Sequence, residues 1–248
     1  MYRFGIIGDD MRMSYLYNSL KKDGYSARLA DGNAPEVIAD SNVIVLPVNR
    51  HDLLSLCQNK TVVGGFTSAY DVPKGATVRN YLENNVYTVK NALATAEGAV
   101  FVAMQNQKTI LSGKSVAVCG YGNIGKVLTL KLLALGCQVT VAARSMVQRA
   151  EAENVGANAC GFGALSLFKP SVIFNTVPAP VITAPILAAL DADTLIIELA
   201  SAPGGIDKRY ADAHGISVIT AGGLPAKYCP QFAGEVLKDT VISILEEV

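Results

Sequence analysis

The stretch "CGYGNIGK", residues 119–126, constrains the fold more than any other part of this chain. It follows the apolar run "SVAV", and the residues after it, "VLTLKLLAL", repeat their apolar positions at helical spacing. The next segment, "GCQVTVAARS", reads as a turn entering a second strand. Strand, glycine turn, helix and strand within about 30 residues make a βαβ unit. Each glycine has a separate task in such a unit. Gly120 permits the tight turn, Gly122 lets a pyrophosphate approach backbone amides, and Gly125 lets the helix pack against the strand. The amides from Gly120 through Asn123 and Ile124 to Gly125 then face a bound phosphate, and the helix dipole favours its charge. Dinucleotide binding is the expectation. The alternative is a glycine-rich connection in a fold that holds no cofactor.

The end of the second strand bears on which dinucleotide. An NAD site usually places Asp or Glu there to hold the ribose 2′-hydroxyl. Here "VTVAARS" ends in Arg144 and Ser145, with no carboxylate before Glu151. A guanidinium and a hydroxyl suit a 2′-phosphate, which arginine can grip through two hydrogen bonds. NADP(H) is therefore favoured over NAD. The alternative is an arginine that stacks on the adenine without selecting the phosphate.

Composition narrows the remaining classes. The 248 residues are 50% hydrophobic and 17% charged, enough for an ample core. The 21 acidic and 21 basic residues balance, and no basic run exceeds two residues, so nothing points to nucleic acid or a membrane surface. The five cysteines have no metal-ligand spacing and there are only two histidines, so the expectation is reduced thiols and no metal. The opening "MYRFGIIGDD" reads as a strand entering a turn rather than a leader, and no run is long enough to span a membrane. A cytoplasmic location follows as an expectation.

Short apolar runs alternate with amphipathic stretches along the whole chain, the pattern of α/β architecture with mostly parallel sheets. Strands are expected at 2–7, 42–48, 61–65, 115–119, 138–142, 172–175, 194–198 and 217–220. Helices are expected at 12–22, 124–135, 147–154 and 230–247, with a weak one between the strands at 42–48 and 61–65. The proline-free segment 85–107 reads as a long helix with Val86, Val89, Leu93, Val100 and Met104 near helical spacing. "GIIGDD" and "AVCGYG" both end a strand at glycine, which suggests two Rossmann-like βα domains joined by that linker helix. The expected division is an N-terminal substrate-side domain over 1–84, a dinucleotide domain over 85–228 that starts with the linker helix, and a C-terminal helix over 229–248. The apolar stripe of the last helix serves equally for packing on the first domain or for a homodimer face.

These residues resemble a family, the A subunits of dipicolinate synthase from spore-forming bacteria. "NALATAEGAVFVAMQ" (91–105) is similar to its linker helix, and "GYGNIGKVLTLKLLALGCQVTVAARS" to its nucleotide turn and strand end. "NTVPAPVI" (175–182), "LIIELASAPGGID" (195–207) and "GGLPAKYCPQFAGEVL" (222–237) resemble three later signatures in order. "GDDMR" (8–12) is similar to an opening Gly-Gly-Asp-x-Arg, although Gly-Asp-Asp replaces Gly-Gly-Asp, and "GNIG" stands for the more usual Gly-Arg-Thr-Gly.

The resemblance implies one component of an oxidoreductase that works on a CH–CH group. It would oxidise a dihydrodipicolinate-type dicarboxylate with NADP, beside a flavoprotein-like B subunit, during sporulation. Candidates for its roles follow from position. Arg12 and Lys227 could hold substrate carboxylates, the alternatives being an arginine paired with Asp9 or Asp10 and a solvated lysine. Glu97, with Thr95 on the linker helix, could act as a base or a substrate contact; the alternative is an interdomain hydrogen bond or a solvated helix face. Asn175, Thr176, Val177 and Pro178 end one strand, Ala200 and Ser201 the next, and Gly222 follows the last; all are expected against the cofactor. His214, before Gly215, reads as a helix C-cap rather than a catalytic group. Cys119 and Cys137 read as core. Two other readings stay open: a protein that binds a dinucleotide without catalysing, and a dehydrogenase of another small acid.

Overall fold

The computed structural model describes residues 2–30 and 32–247 and divides into two compact units, 1–94 with 225–248, and 95–224. The first is built on five parallel strands, β1 (Arg3–Ile6), β2 (Ser26–Leu29), β3 (Val43–Val48), β4 (Thr61–Gly65) and β5 (Thr77–Asn80), in the order β2-β1-β3-β4-β5. Helices α1 (Met11–Lys22) and α2 (Ala34–Asp40) lie between its early strands, and a 3₁₀ turn at His51–Leu56 takes the place of the expected weak helix. This order is the flavodoxin-like form of the doubly wound sheet, whose switch point lies between β1 and β3. The core strand "VIVLPV" is buried over its first four residues, as a strand covered on both faces must be.

Helix α3 (Asn85–Asn106) carries the chain from the first unit into the second. Its buried face is mostly small: Ala92, Ala96, Ala99 and Ala103, with Tyr87 and Val102. Val86, Val89, Leu93 and Met104, four of the five positions that marked it as a helix, are exposed.

The second unit contains β6 (Ser115–Cys119), α4 (Asn123–Ala134), β7 (Gln138–Ala142), α5 (Met146–Asn154), β8 (Asn158–Cys160), β9 (Val172–Asn175), α6 (Ala184–Ala188), β10 (Leu195–Glu198), α7 (Lys208–Ala213) and β11 (Val218–Thr220). All six strands are parallel, in the order β11-β10-β9-β6-β7-β8. Counted from β6, this is the 3-2-1-4-5-6 order of dinucleotide-binding sheets, with its switch point between β6 and β9.

Helices α8 (Leu224–Tyr228) and α9 (Pro230–Glu246) end the described chain. Helix α9 belongs to the first unit, where Val236, Leu237, Val241 and Leu245 join Met13, Leu16 and Leu20 in one core. Gly234 admits α1 to backbone contact, since a Cβ there would stand 2.7 Å from the carbonyl oxygen of Arg12. Lys238 pairs with Asp23 at 2.7 Å. By their contacts the units divide at 94/95 and 224/225, and the last helix packs in the first unit's core.

Candidate functional site

The site of the second unit begins at the end of β6. Gly120 has φ +94, a conformation glycine adopts without strain, and a Cβ there would stand 2.5 Å from Thr176 Oγ1. Thr176 closes the switch point from the other side, with its hydroxyl and its amide both donating to the carbonyl oxygen of Cys119, at 2.8 and 2.9 Å. A Cβ at Gly125 would collide with the backbone oxygen of Gly120, so α4 can lie this close only with glycine. Gly122 is different. It N-caps α4 with no side-chain cap on the helix, and a Cβ there would meet nothing within 4 Å. The first turn of this 12-residue helix is thus open at Gly122, and its amides could receive a diphosphate there. Asn123 is exposed and Ile124 half-buried in that turn.

Arg144 and Ser145 follow β7, both exposed. Ser145 caps α5 by accepting from the amide of Gln148 at 3.4 Å, which leaves its own hydroxyl proton for a ligand. Arg144 borders a cleft of about 500 Å³ whose other walls include Phe162, Val177, Pro180, Val181 and Ile186. Glu151, the first acid after the strand, is committed to Lys126 at 2.8 Å. Sequence reasoning missed Arg149. Its Nη1 donates to the carbonyl oxygens of Ala143 at 2.9 Å and Arg144 at 3.1 Å, pinning the strand end that carries Arg144.

The loops after β9 and β10 correct one expectation. Asn175 is fully buried, and its side-chain amide donates to Glu198 at 2.7 Å and to the carbonyl oxygen of Val177 at 3.0 Å. Its contribution is therefore loop shape, not direct contact with a cofactor. Val177 lines the cleft beside Arg144, while Pro178 and Ser201 are exposed. Ala200 donates its amide to Glu198 at 3.1 Å. Gly222 is exposed after β11. Glu198 itself, 2% exposed, was read only as the end of a strand; an acid closing the apolar run "LII" was the available signal.

The three residues expected at the chemistry are divided between the units. Arg12 and Lys227 belong to the first and Glu97 to the second. Glu97 lies on an exposed helix face with its carboxylate 2.8 Å from Lys131. The Arg12 side chain is 10% exposed and donates to Asp10 at 3.0 Å, and Asp10 caps α1 by accepting from the amide of Met13. Burial opposes the charge of Arg12, but Tyr81, Tyr87 and Asp10 outweigh it and its pKa is raised. Arg12 Nε and the Tyr81 hydroxyl are buried without a hydrogen-bond partner. Lys227 is exposed on α8. His214 caps α7, with Nδ1 2.9 Å from the carbonyl oxygen of Tyr210 and its ring stacked on that tyrosine at 3.9 Å. Cys119 and Cys137 are buried in the core. Among the described residues no group of acids, cysteines and histidines could hold a metal, and no helix is long and apolar enough to cross a membrane.

Residues 83–202 match the NAD binding domain of the D-isomer specific 2-hydroxyacid dehydrogenases. The A subunit of dipicolinate synthase from Bacillus subtilis is 29% identical over 230 residues, 90% of this chain and 76% of that protein. The crystal structure of the corresponding A subunit from Bacillus halodurans superposes with a TM-score of 0.85 at 27% identity, covering 98% of this chain and 97% of that one. D-lactate dehydrogenase of Escherichia coli shares the fold, with a TM-score of 0.71 at 14% identity over 99% of this chain and 97% of that one. The comparisons support a nicotinamide dinucleotide as cofactor and a dehydrogenase-like protein as its host, and over most of its length the chain is similar to the dipicolinate synthase A subunits.

Proposed function

We propose that the chain is the A component of a dipicolinate synthase-like, cytoplasmic oxidoreductase. In this reading it oxidises a dihydrodipicolinate-type dicarboxylate to the aromatic diacid with NADP, beside a flavoprotein-like B subunit. The observation that carries it is the pairing of the glycine cradle with a cleft rimmed by Arg144. When bound, the cofactor supplies the acceptor for one hydride; the ring's second hydrogen leaves as a proton, and aromatisation drives the step.

The residues of this chain bind and orient. Amides at the start of α4 hold the diphosphate, and Arg144 with Ser145 takes the 2′-phosphate. Thr176, Val177 and Pro178 after β9, Ala200 and Ser201 after β10, and Gly222 after β11 approach the nicotinamide half. Two substrate carboxylates call for cations, and Arg12, which keeps an unspent Nε donor, and the exposed Lys227 are the candidates.

Titration calorimetry with NADPH, NADH and dipicolinate tests this reading. Tight NADPH binding, strengthened by the diacid, is expected, and turnover should require the B subunit. Binding of NADPH with no effect of dipicolinate would remove the substrate assignment. A second reading, a dinucleotide-holding protein without its own chemistry, is favoured by one observation. The acid–base groups that sequence reasoning weighed are engaged elsewhere, Glu97 by Lys131 and His214 by Tyr210. Turnover by the chain alone would exclude it. A 2-hydroxy acid dehydrogenase would need a histidine backed by a carboxylate, and His214 is stacked on Tyr210 instead.

A further inference from the structure

We propose that Glu198 is a positioning residue for the nicotinamide half of the site, acting through Asn175 and Gly205. The inference rests on the dinucleotide reading above and extends it to a residue outside the cradle. Glu198 closes β10 at 2% exposure, where an ionised carboxylate is costly unless its oxygens are satisfied. All its hydrogen-bond partners are neutral N–H donors. Oε1 accepts from Asn175 Nδ2 at 2.7 Å and from the amide of Ala200 at 3.1 Å, and Oε2 accepts from the amide of Gly205 at 2.9 Å.

The donors come from two different loops. Asn175 heads the loop after β9, and it grips Val177 twice, donating to its carbonyl oxygen at 3.0 Å and accepting from its amide at 3.2 Å. Ala200 and Gly205 bracket the loop after β10. The carbonyl oxygen of Gly205 in turn accepts from the amides of Val181 and Ile182, at 3.0 and 2.9 Å. Gly205 must be glycine for this knot to close, because a Cβ there would stand 2.5 Å from both Asn175 Nδ2 and the oxygen of Val177. One carboxylate therefore sets the spacing of two loops that end neighbouring strands on one side of the switch point. In a doubly wound sheet the second mononucleotide binds above those strand ends, and the first above the β6–β8 side. A carboxylate is required because every partner donates. The isosteric amide would turn an N–H toward an N–H and release one loop.

The test compares a whole dinucleotide with its adenine half on the full-length chain. NADPH, NADH and ADP are titrated into wild type, Glu198→Gln and Gly205→Ala. The second variant loosens the same knot from its other end, because the added methyl group would stand 2.5 Å from Asn175 Nδ2 and from the oxygen of Val177. For both variants ADP affinity is expected within about threefold of wild type while NADPH affinity falls at least about tenfold. Equal loss for ADP and NADPH would show a merely structural acid and overturn the role, as would an unchanged NADPH affinity in Glu198→Gln. If Glu198→Gln does not fold, Gly205→Ala decides alone: a selective loss of NADPH affinity supports the role, and an equal or absent loss overturns it. A wild-type chain that binds no dinucleotide overturns the dinucleotide reading itself. Wild-type binding with an unaffected variant overturns only the role of Glu198.

Discussion

Helix α4 passes so close to the carbonyl oxygen of Gly120 that no side chain at all fits at Gly125. Gly122, three residues earlier and in the same turn, faces open space. The two glycines should therefore fail differently when replaced. Gly125→Ala forces the helix off the strand and is expected to cost about 1–3 kcal/mol of stability, as overpacking does. Gly122→Val should melt near the wild-type temperature yet fill the space a diphosphate needs, with no measurable NADPH binding. Thermal melts and calorimetry read the two effects apart. Retained affinity in Gly122→Val would make the turn purely structural.

Arg144 makes no ion pair among the described residues and stands at the rim of the cleft that Val177 and Pro180 help to line. Hydrogen bonds to a charged group contribute about 1.5–3 kcal/mol, so Arg144→Asp should weaken NADPH binding by roughly 10- to 100-fold. NADH lacks the phosphate and should lose far less. Direct titration with both nucleotides checks this, and equal losses would assign Arg144 to adenine stacking.

Much of this architecture was legible because buried parallel strands are runs of Val, Ile and Leu that no other element explains. Strands β6, β7 and β9 lie where their apolar runs placed them, and α9 follows its stripe to within one residue. The edge strands β2 ("SARL"), β5 ("TVRN") and β8 ("NAC") went unread, since a strand with one neighbour is half-solvated and carries polar residues. Helix α3 follows the spacing of its large apolar residues, yet four of those five lie on its exposed side. Large apolar residues set the periodicity, while the alanines Ala96, Ala99 and Ala103 do the packing. In the site, the glycines announced themselves by spacing. Glu198 and Asn175 did not, because a buried polar pair between two strand ends has no period.

Glu97 offers a direct test of its position. Its pair with Lys131 is solvent-exposed, with the glutamate side chain 59% accessible, and exposed pairs contribute between about 0 and 1 kcal/mol. Glu97→Gln should therefore shift the melting temperature little, and turnover with the B subunit should stay within about threefold of wild type. A loss of about 100-fold, near what a general base contributes, would instead give this carboxylate a part in proton transfer.

The buried thiols and phenols of the first unit set its alkaline limit. Burial pushes the Cys57 thiol from 9.0 up to about 11, against a small opposing effect of Lys60, and raises the phenol of Tyr81 as well. In both cases the neutral form is the one the fold holds. The stabilisation from Cys57 is fully present below about pH 9, where the thiol is neutral folded or unfolded, and is lost as pH rises toward 11 because the unfolded chain ionises first. Denaturant midpoints should accordingly stay level up to about pH 9 and fall above it. Replacing Cys57 by alanine removes a titrating group and should flatten the onset of that fall. A wild-type profile that stayed level from about pH 9 to 11 would mean that the thiol ionises as readily in the fold as in the unfolded chain.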